Sequence, residues 1–256
     1  MDLLVNEIVE RFYTLLWPMI RVSAFLLAAP FFSINAVTVR IRVLLAALLT
    51  LMVYPLTEWP IIEPFSAPGL REMFNQVLIG TIMGTLLQIV NGALVVGGQA
   101  VSTSMGLGMA NMVDPNMGNV PVISQFFLIL STILFMGLGG HVLVITLLLE
   151  SFKALPIGEM ISADMLMRVL LQWSSMMFLG ALLLAMPIMV CLLFINIGVG
   201  VITRAAPALN IFAVGFPAMI LAGMLLLATS MTSIGFRIQW LWRRAFDVVG
   251  QALGVT

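Results

Sequence analysis

The residues that could take part in phosphate or nucleotide chemistry are few and isolated. The only lysine, Lys153, lies in Ser-Phe-Lys-Ala, so the sequence has no phosphate-binding Gly-Lys-Ser/Thr loop. Gly106-Leu-Gly108 is followed by Met-Ala-Asn and lacks the third glycine of a dinucleotide-binding turn. Neither pattern therefore predicts a nucleotide site.

Metal binding and acid–base catalysis are equally poorly supported. With one histidine, His141, and one cysteine, Cys191, a zinc site would need carboxylates from separate segments. Asp114, Glu150 and Asp164 lie in different predicted loops and form no acid–base pair. We therefore expect no enzymatic activity, no metal and no cofactor. We interpret Cys191 as a small core residue and favour a packing or interface role for His141 over a proton relay.

A glycine-rich, almost uncharged segment at residues 105–121 contains a different kind of pattern. Methionines occur in it at positions 105, 109, 112 and 117. Methionine is flexible and polarizable, so a group of methionines can close around changing shapes, and an apolar constriction can exclude water and ions. The alternative is that these side chains only fill gaps in a core, in a chain with 20 methionines.

The composition places these residues in a membrane protein. Hydrophobic residues make up 62% of the 256 positions and charged residues 9%, against about 25% charged residues in soluble domains. One core of this size cannot bury so much apolar surface, so the excess must face lipid or other apolar subunits. The formal net charge is zero, which predicts no nucleic-acid partner.

Charged residues divide the chain into candidate membrane spans, each of which needs roughly 20 apolar residues. Four long runs lack charge, at residues 73–113, 115–149, 169–203 and 205–236. Shorter apolar segments occupy residues 12–29 and 43–57, and we predict an exposed loop at residues 58–72. The pattern predicts an all-α integral membrane protein of about six hydrophobic helices in helical hairpins.

Loop charges set the expected orientation. Arg40 and Arg42 follow the first span and should be cytoplasmic, which places both termini in the periplasm. Arg237, Arg243 and Arg244 near the C-terminus favour the opposite side. We keep the periplasmic assignment because an even number of spans and the earlier loops agree with it.

Two arginines and a set of small residues predict close packing. Arg21 falls within the first span, at a cost of about 2.5–3.5 kcal/mol in lipid. Either the span begins at Val22, or Arg21 faces protein or water inside an assembly. Arg204, followed by Ala-Ala-Pro207, is predicted at a turn near the headgroups because Pro207 would break a helix. Small residues let helix backbones approach closely, and the predicted packing positions are Gly80, Gly84, Gly97, Gly98, Gly139, Gly140 and Gly198.

Three segments resemble the FliR family, in order along most of the chain. The first is Pro-Phe-Phe-Ser-Ile-Asn-Ala-Val-Thr-Val-Arg-Ile-Arg at residues 30–42. The second runs from Gly-Gly-Gln at 97–99 through Asp114-Pro115 to Ser-Phe-Lys-Ala-Leu-Pro at 151–156. The third covers residues 196–217 and includes Arg204-Ala-Ala-Pro207. The chain is thus identified as similar to this subunit family of the flagellar type III protein-export gate.

The resemblance implies a FliP-like region at residues 1–165 and a FliQ-like hairpin at residues 166–256. The implied partners are FliP-like, FliQ-like and FlhB-like subunits, unfolded export substrates and membrane lipid. The implied location is the bacterial inner membrane, as a multi-pass part of the flagellar basal body. In the family the loop corresponding to residues 105–121 plugs the pore. The implied plug residues are Met105, Gly106, Gly108, Met109, Met112, Val113, Asp114, Pro115, Met117, Gly118 and Pro121.

Three other functions remain open at this point. A virulence-type secretion gate subunit is closely similar to the flagellar one, and overall likeness favours the flagellar system. A secondary transporter is compatible with glycine-interrupted spans, but the two halves show no matching segments. A membrane scaffold without a channel is the third. A gate subunit should purify with FliP-like and FliQ-like chains, whereas a transporter should function as a monomer or small homo-oligomer.

Overall fold

The structure, a computed structural model, describes residues 2–32, 38–57, 59–107, 121–159, 163–205 and 211–254. All regular elements in these ranges are helical, which confirms the all-α prediction. The helices are α1 (Asp2–Ala28), α2 (Val39–Val53), α3 (Ala67–Ser104), α4 (Val122–Gly137), α5 (Gly140–Ala154), α6 (Ala163–Ala205) and α7 (Ile211–Leu253), with a 3₁₀ turn at Tyr54–Leu56.

Four helices in the described ranges are long and apolar enough to cross a membrane: Val39–Leu56, Ala67–Ser104, Ala163–Ala205 and Gly215–Leu253. The bent pair of α4 and α5 adds a fifth candidate. These residues therefore contain four or five candidate spans, compared with the six spans counted from the sequence. The predicted first span is not among these candidates. Helix α1 covers it, but this helix contains five charged residues.

The run at residues 115–149, predicted as one span, contains two helices that meet at an angle. The axes of α4 and α5 differ by 70°. Gly139 has a φ of +70°, a conformation that glycine adopts without a Cβ clash. The Leu138 N–H still donates to the Leu134 carbonyl, so α4 ends in a regular final turn before the chain changes direction.

The exposed loop predicted at residues 58–72 is shorter than expected, because α3 already begins at Ala67. The Ser66 hydroxyl accepts a hydrogen bond from the Gly69 N–H at 3.1 Å, as an N-cap side chain does. Proline is tolerated in the first helical turn, so Pro68 favours a helix start here rather than a loop. Glu72, predicted in the loop, is consequently a buried residue of α3.

The chain forms two compact units that alternate along the sequence. Unit 1 comprises residues 1–89, 139–174 and 243–256, and unit 2 comprises residues 90–138 and 175–242. The core of unit 1 includes Trp17, Phe25, Met83, Leu148 and Phe152. The predicted division at residue 165 rests on likeness to two other subunits, and it stays a prediction.

Unit 2 contains an antiparallel pairing of α6 and α7. Gly180 lies against Leu241, whereas Asn196 lines a groove together with Met219, so positions rise along one helix as they fall along the other. Each helix has 43 residues, which corresponds to about 65 Å, twice the thickness of a bilayer core. Cys191 is exposed on α6, so its prediction as a core residue was wrong. The prediction failed because α6 is apolar on both its exposed and its buried faces, so the residues around Cys191 do not indicate which face it is on.

Candidate functional site

The predicted plug segment connects α3 to α4, and the structure describes its two ends. Met105 and Gly106 follow α3, and Pro121 precedes α4. The segment at residues 108–120 lies outside the described residues. This range includes Gly108, Met109, Met112, Val113, Asp114, Pro115, Met117 and Gly118, whose predicted plug role therefore stays a prediction.

The first end of the segment is held against α7. Met105 is fully buried and its N–H donates to the Val101 carbonyl at 3.0 Å. Its side chain fills the space beside Gly223, where an added Cβ would lie 2.6 Å from the methionine Cε. Gly106 has a φ of +82°, and a Cβ there would lie 2.9 Å from the Phe216 ring. Glycine at both positions therefore permits this contact between the end of α3 and α7.

The second end is held against α3 itself. Pro121 occupies the N-cap position of α4, and its carbonyl accepts from the Gln125 N–H at 3.0 Å. The buried Ser124 hydroxyl donates to the Val95 carbonyl at 2.9 Å. A Cβ at Gly98 would lie 2.7 Å from the Ser124 backbone nitrogen. Because a backbone cannot rotate away as a side chain can, Gly98 is required for this approach.

The two ends are close compared with the length of chain between them. Seven residues of α3 separate Gly98 from Met105, which is about 10 Å along a helix. The 13 residues at 108–120 could span about 45 Å if fully extended. The segment therefore has several times the length needed to join its ends.

The described part of unit 2 is almost without charge. It contains no aspartate or glutamate, and its only cations are Arg204 and Arg237. The polar groups near the segment's ends are hydroxyls and amides, such as Ser102, Ser104 and Gln125. An ionic latch built from the described residues of this unit is therefore absent, and contacts with the segment's ends are apolar or neutral.

Unit 1 contains the only buried arginine cluster in the described ranges. The Arg21 side chain of α1 is fully buried. Its Nε donates to Gln76 Oε1 at 2.6 Å, and its terminal nitrogens donate to the carbonyls of Ser151 and Leu155, each at 2.7 Å. Its guanidinium lies 4.3 Å from the centre of the Phe152 ring. One cation thereby ties α1 to α3 and to the end of α5.

Sequence analysis missed the partners of Arg21. Glu72 and Gln76 are four residues apart on α3, and the Gln76 amide donates to the Glu72 carboxylate. Gln76 thus joins the guanidinium and the carboxylate through one side chain. The i,i+4 spacing of two polar residues in an apolar helix was a usable signal. It was missed because residues 58–72 were interpreted as a loop.

The predicted packing glycines of α3 lie against α1 in unit 1. A Cβ at Gly80 would lie 2.9 Å from the Ala24 Cβ. A Cβ at Gly84 would lie 2.8 Å from the Ala29 backbone nitrogen. In unit 2, Gly97 approaches Ala181 of α6, with 3.1 Å from its added Cβ to the alanine carbonyl oxygen.

The remaining predicted packing residues have fewer neighbours. A Cβ at Gly139 or Gly198 would meet no atom of the described chain within 4 Å. Gly140 is buried at the start of α5, and Arg204 is exposed near the end of α6. Pro207 lies outside the described residues. A packing role for Gly139 and Gly198 would need another chain, and it stays a prediction.

Comparisons with known proteins give a consistent result. Residues 12–245 match the family described as "Bacterial export proteins, family 1". The chain is 33% identical over 238 residues to the flagellar biosynthetic protein FliR of Pectobacterium carotovorum subsp. carotovorum, covering 93% of this chain and 91% of that one. It is 32% identical over 239 residues to FliR of Escherichia coli K12, with the same coverage. It is 30% identical over 238 residues to FliR of Aquifex aeolicus, covering 91% and 90%.

Proposed function

The chain belongs to the FliR family of bacterial export proteins, and we propose that it is a pore-forming core subunit of the flagellar type III protein-export gate. In this role it translocates unfolded flagellar proteins across the inner membrane during flagellum assembly, without an enzymatic step of its own. The similarity to proteins named flagellar, over more than nine-tenths of both chains, carries this proposal. It also favours a flagellar over a virulence-type system.

The proposed partners are FliP-like, FliQ-like and FlhB-like gate subunits, within a multi-pass assembly of the basal body. Large apolar side chains on α6 and α7 support a role among such partners. Phe194 and Leu221 are each 69% exposed in the described chain, with many similar neighbours. Apolar surface of this extent requires lipid or protein contact, because monomeric soluble proteins rarely leave large contiguous apolar patches in water.

The segment at residues 105–121 is proposed to close the pore between export events. Its ends are held by Met105 on Gly223 and by Ser124 on Gly98, so any movement is confined to the residues between them. The 13-residue stretch is long enough to project well beyond its attachment points. A flexible apolar plug blocks ions by withholding hydration, and it needs no charged latch. The neutral surroundings of its ends in unit 2 support this mechanism.

The test replaces apolar plug contacts with polar ones of similar size. In the triple variant Met109→Gln, Met112→Gln and Met117→Gln, the closed segment would attract water. We expect cells to leak protons and small solutes through the gate while the gate still assembles. A matched triple variant changes three exposed methionines outside the segment to glutamine: Met165 and Met167 of α6 and Met224 of α7. This control should leak no more than the parent protein.

Assembly is checked by co-purification with FliP-like and FliQ-like chains, and function by export of flagellar substrates. A second variant, lacking a few residues around Gly118, should leak more strongly. If both plug variants assemble and export normally without added leakage, the segment is not the plug. If the chain purifies without such partners and transports small solutes as a homo-oligomer, the secondary-transporter alternative replaces the export-gate proposal.

A further inference from the structure

One face of α7 places a cation and three hydroxyls on a largely apolar helix. The face lies within unit 2, and its six residues fall within an arc of about 140° on the helix. They are Thr229, Thr232, Ser233, Phe236, Arg237 and Trp240, which together with Leu183 of α6 line a groove of about 610 Å³. Hydroxyls and a guanidinium thus share a surface with two aromatic rings.

Three polar side chains of this face, those of Thr232, Ser233 and Arg237, have no partner in the described chain. Arg237 is half-buried, yet its guanidinium has no hydrogen bond, ion pair or ring contact among the described residues. Thr229 donates back to helix carbonyls, as hydroxyls in helices commonly do, with its Oγ1 at 3.0 Å from the Leu225 oxygen. Thr232 and Ser233 make no such bond in the described structure. Two hydroxyls and a cation are therefore available to a ligand.

The ligand must supply negative charge from outside the described part of unit 2, which contains no carboxylate. A half-buried cation in a candidate spanning helix is costly unless an anion compensates it. A phosphodiester offers several acceptor oxygens, enough for the guanidinium and both hydroxyls. A single carboxylate from a partner helix would neutralise Arg237 but would satisfy fewer of these donors.

A second groove adjoins the first and has a different character. It measures about 400 Å³ and is lined by Leu182, Leu183, Met186, Pro187 and Val190 of α6, with Arg237 at its edge. Leu183 and Arg237 line both grooves and so separate them. Apart from Arg237, the second groove has no polar side chain. The lining therefore changes from a mixture of hydroxyl, guanidinium and aromatic groups in the first groove to hydrocarbon in the second, as an amphiphile does along its length.

We propose that this face binds an anionic phospholipid. The phosphate lies on Arg237, Thr232 and Ser233, and an acyl chain lies in the groove of Leu182 to Val190. Trp240 lines the same groove as Arg237, and tryptophan is enriched at membrane–water interfaces, where lipid phosphates lie. The proposal rests on the membrane location proposed above, but not on closure of the pore by the segment at residues 105–121.

The test uses the purified export-gate complex in nanodiscs with a phosphatidylglycerol that has a diazirine in one acyl chain. After illumination, labelled peptides are mapped by mass spectrometry. We expect labelling at residues 182–190 and 229–240, and little labelling by the matching phosphatidylcholine probe. Arg237→Gln should reduce labelling about fivefold, the factor that corresponds to about 1 kcal/mol per basic residue at an anionic lipid surface. Arg204→Gln removes an exposed arginine of the same unit and should leave this labelling unchanged.

A second variant, Thr232→Val with Ser233→Ala, keeps the cation and should reduce the preference for phosphatidylglycerol more weakly than Arg237→Gln does. Equal labelling by both headgroups, or unchanged labelling in Arg237→Gln, would overturn the proposal. So would protection of both peptides from either lipid probe in the intact complex, because that result assigns the face to a protein subunit. None of these outcomes alters the leakage test of the plug, so the two proposals fail separately.

Discussion

Two arginines, Arg21 of α1 in unit 1 and Arg237 of α7 in unit 2, have opposite surroundings. Arg21 is fully buried and receives acceptors from α3 and α5 and a ring from Phe152. Arg237 is half-buried on α7 and has no polar partner in the described chain. Unit 1 thus satisfies its own buried cation, whereas unit 2 leaves its cation for something outside. Arg21 therefore stabilises the fold, whereas Arg237 is part of the proposed lipid-binding surface.

Two glycines show the same contrast between a residue with neighbours in unit 1 and a residue without them in unit 2. Gly84 in α3 leaves no room for a Cβ, because the backbone nitrogen of Ala29, at the end of α1, lies 2.8 Å from the Cβ position. Gly198 in α6 has open space around it within the described chain. Gly84 thus permits a helix contact within this chain. Gly198 makes no such contact in the described chain, so a substitution of Gly198 tests for contacts with other molecules.

The largest expected effect is that of Arg21→Ala. The substitution leaves the Glu72–Gln76 pair and two buried carbonyls without their cation, a class of change that costs about 3–5 kcal/mol. We expect a large drop in the apparent melting temperature of the detergent-solubilised protein and poor recovery of the complex. Arg40→Ala, which changes an exposed arginine in the same unit, is the control. Equal yields from the two variants would show that the cluster contributes little to stability.

Substituting glycines tests the contrast without changing charge. Gly84→Ala forces α1 and α3 apart and should destabilise the protein by about 1–3 kcal/mol. Gly198→Ala adds the same methyl group in open space and should stabilise the isolated chain by about 0.5–1 kcal/mol, the difference in helix propensity. Both are measured by thermal unfolding in detergent. Two shifts of the same sign would contradict the assignment of these glycines to a closed and an open surface.

Phe152→Leu tests the ring beneath Arg21. The ring also contacts Trp59 edge-on, with centroids 5.5 Å apart. Losing the cation–π contact and part of the packing should cost about 1–2 kcal/mol. Phe194→Leu on the exposed surface of α6 is the matched control and should change stability by less than about 0.5 kcal/mol. A larger effect at Phe194 would place the stabilising aromatic contacts in the other unit.

The smallest expected effect is that of Arg237→Gln on the isolated chain. Because Arg237 has no partner in the described structure, its loss in a neutral detergent should change stability by less than about 0.5 kcal/mol. The same substitution at Arg21 should be severely destabilising. Melting curves of both variants in identical detergent provide the comparison. Strong destabilisation by Arg237→Gln would mean that the chain itself supplies an anion to this arginine.

The helices were largely predictable, because hydropathy and proline positions act locally. The charge-free runs at residues 169–203 and 205–236 lie almost entirely within α6 and α7. The start of α3 was missed although its signal was present in Ser66 and Pro68. The acids and prolines of residues 58–72 outweighed that signal. The bend at Gly139 was not predicted, since an isolated glycine in an apolar run is also common within a straight helix.

By itself, the sequence determined that this is an all-helical chain with apolar spans and an almost uncharged, methionine-rich connection. These properties depend on composition and on neighbours a few residues apart. The tertiary structure alone decided which of two arginines, Arg21 or Arg237, has hydrogen-bond partners among the described residues. The partners of Arg21 lie 55 and 130 positions away, and no local pattern distinguishes this arginine from Arg237. Whether a charge in an apolar helix has partners depends on which distant helices pack beside it, and only the folded chain brings those helices together.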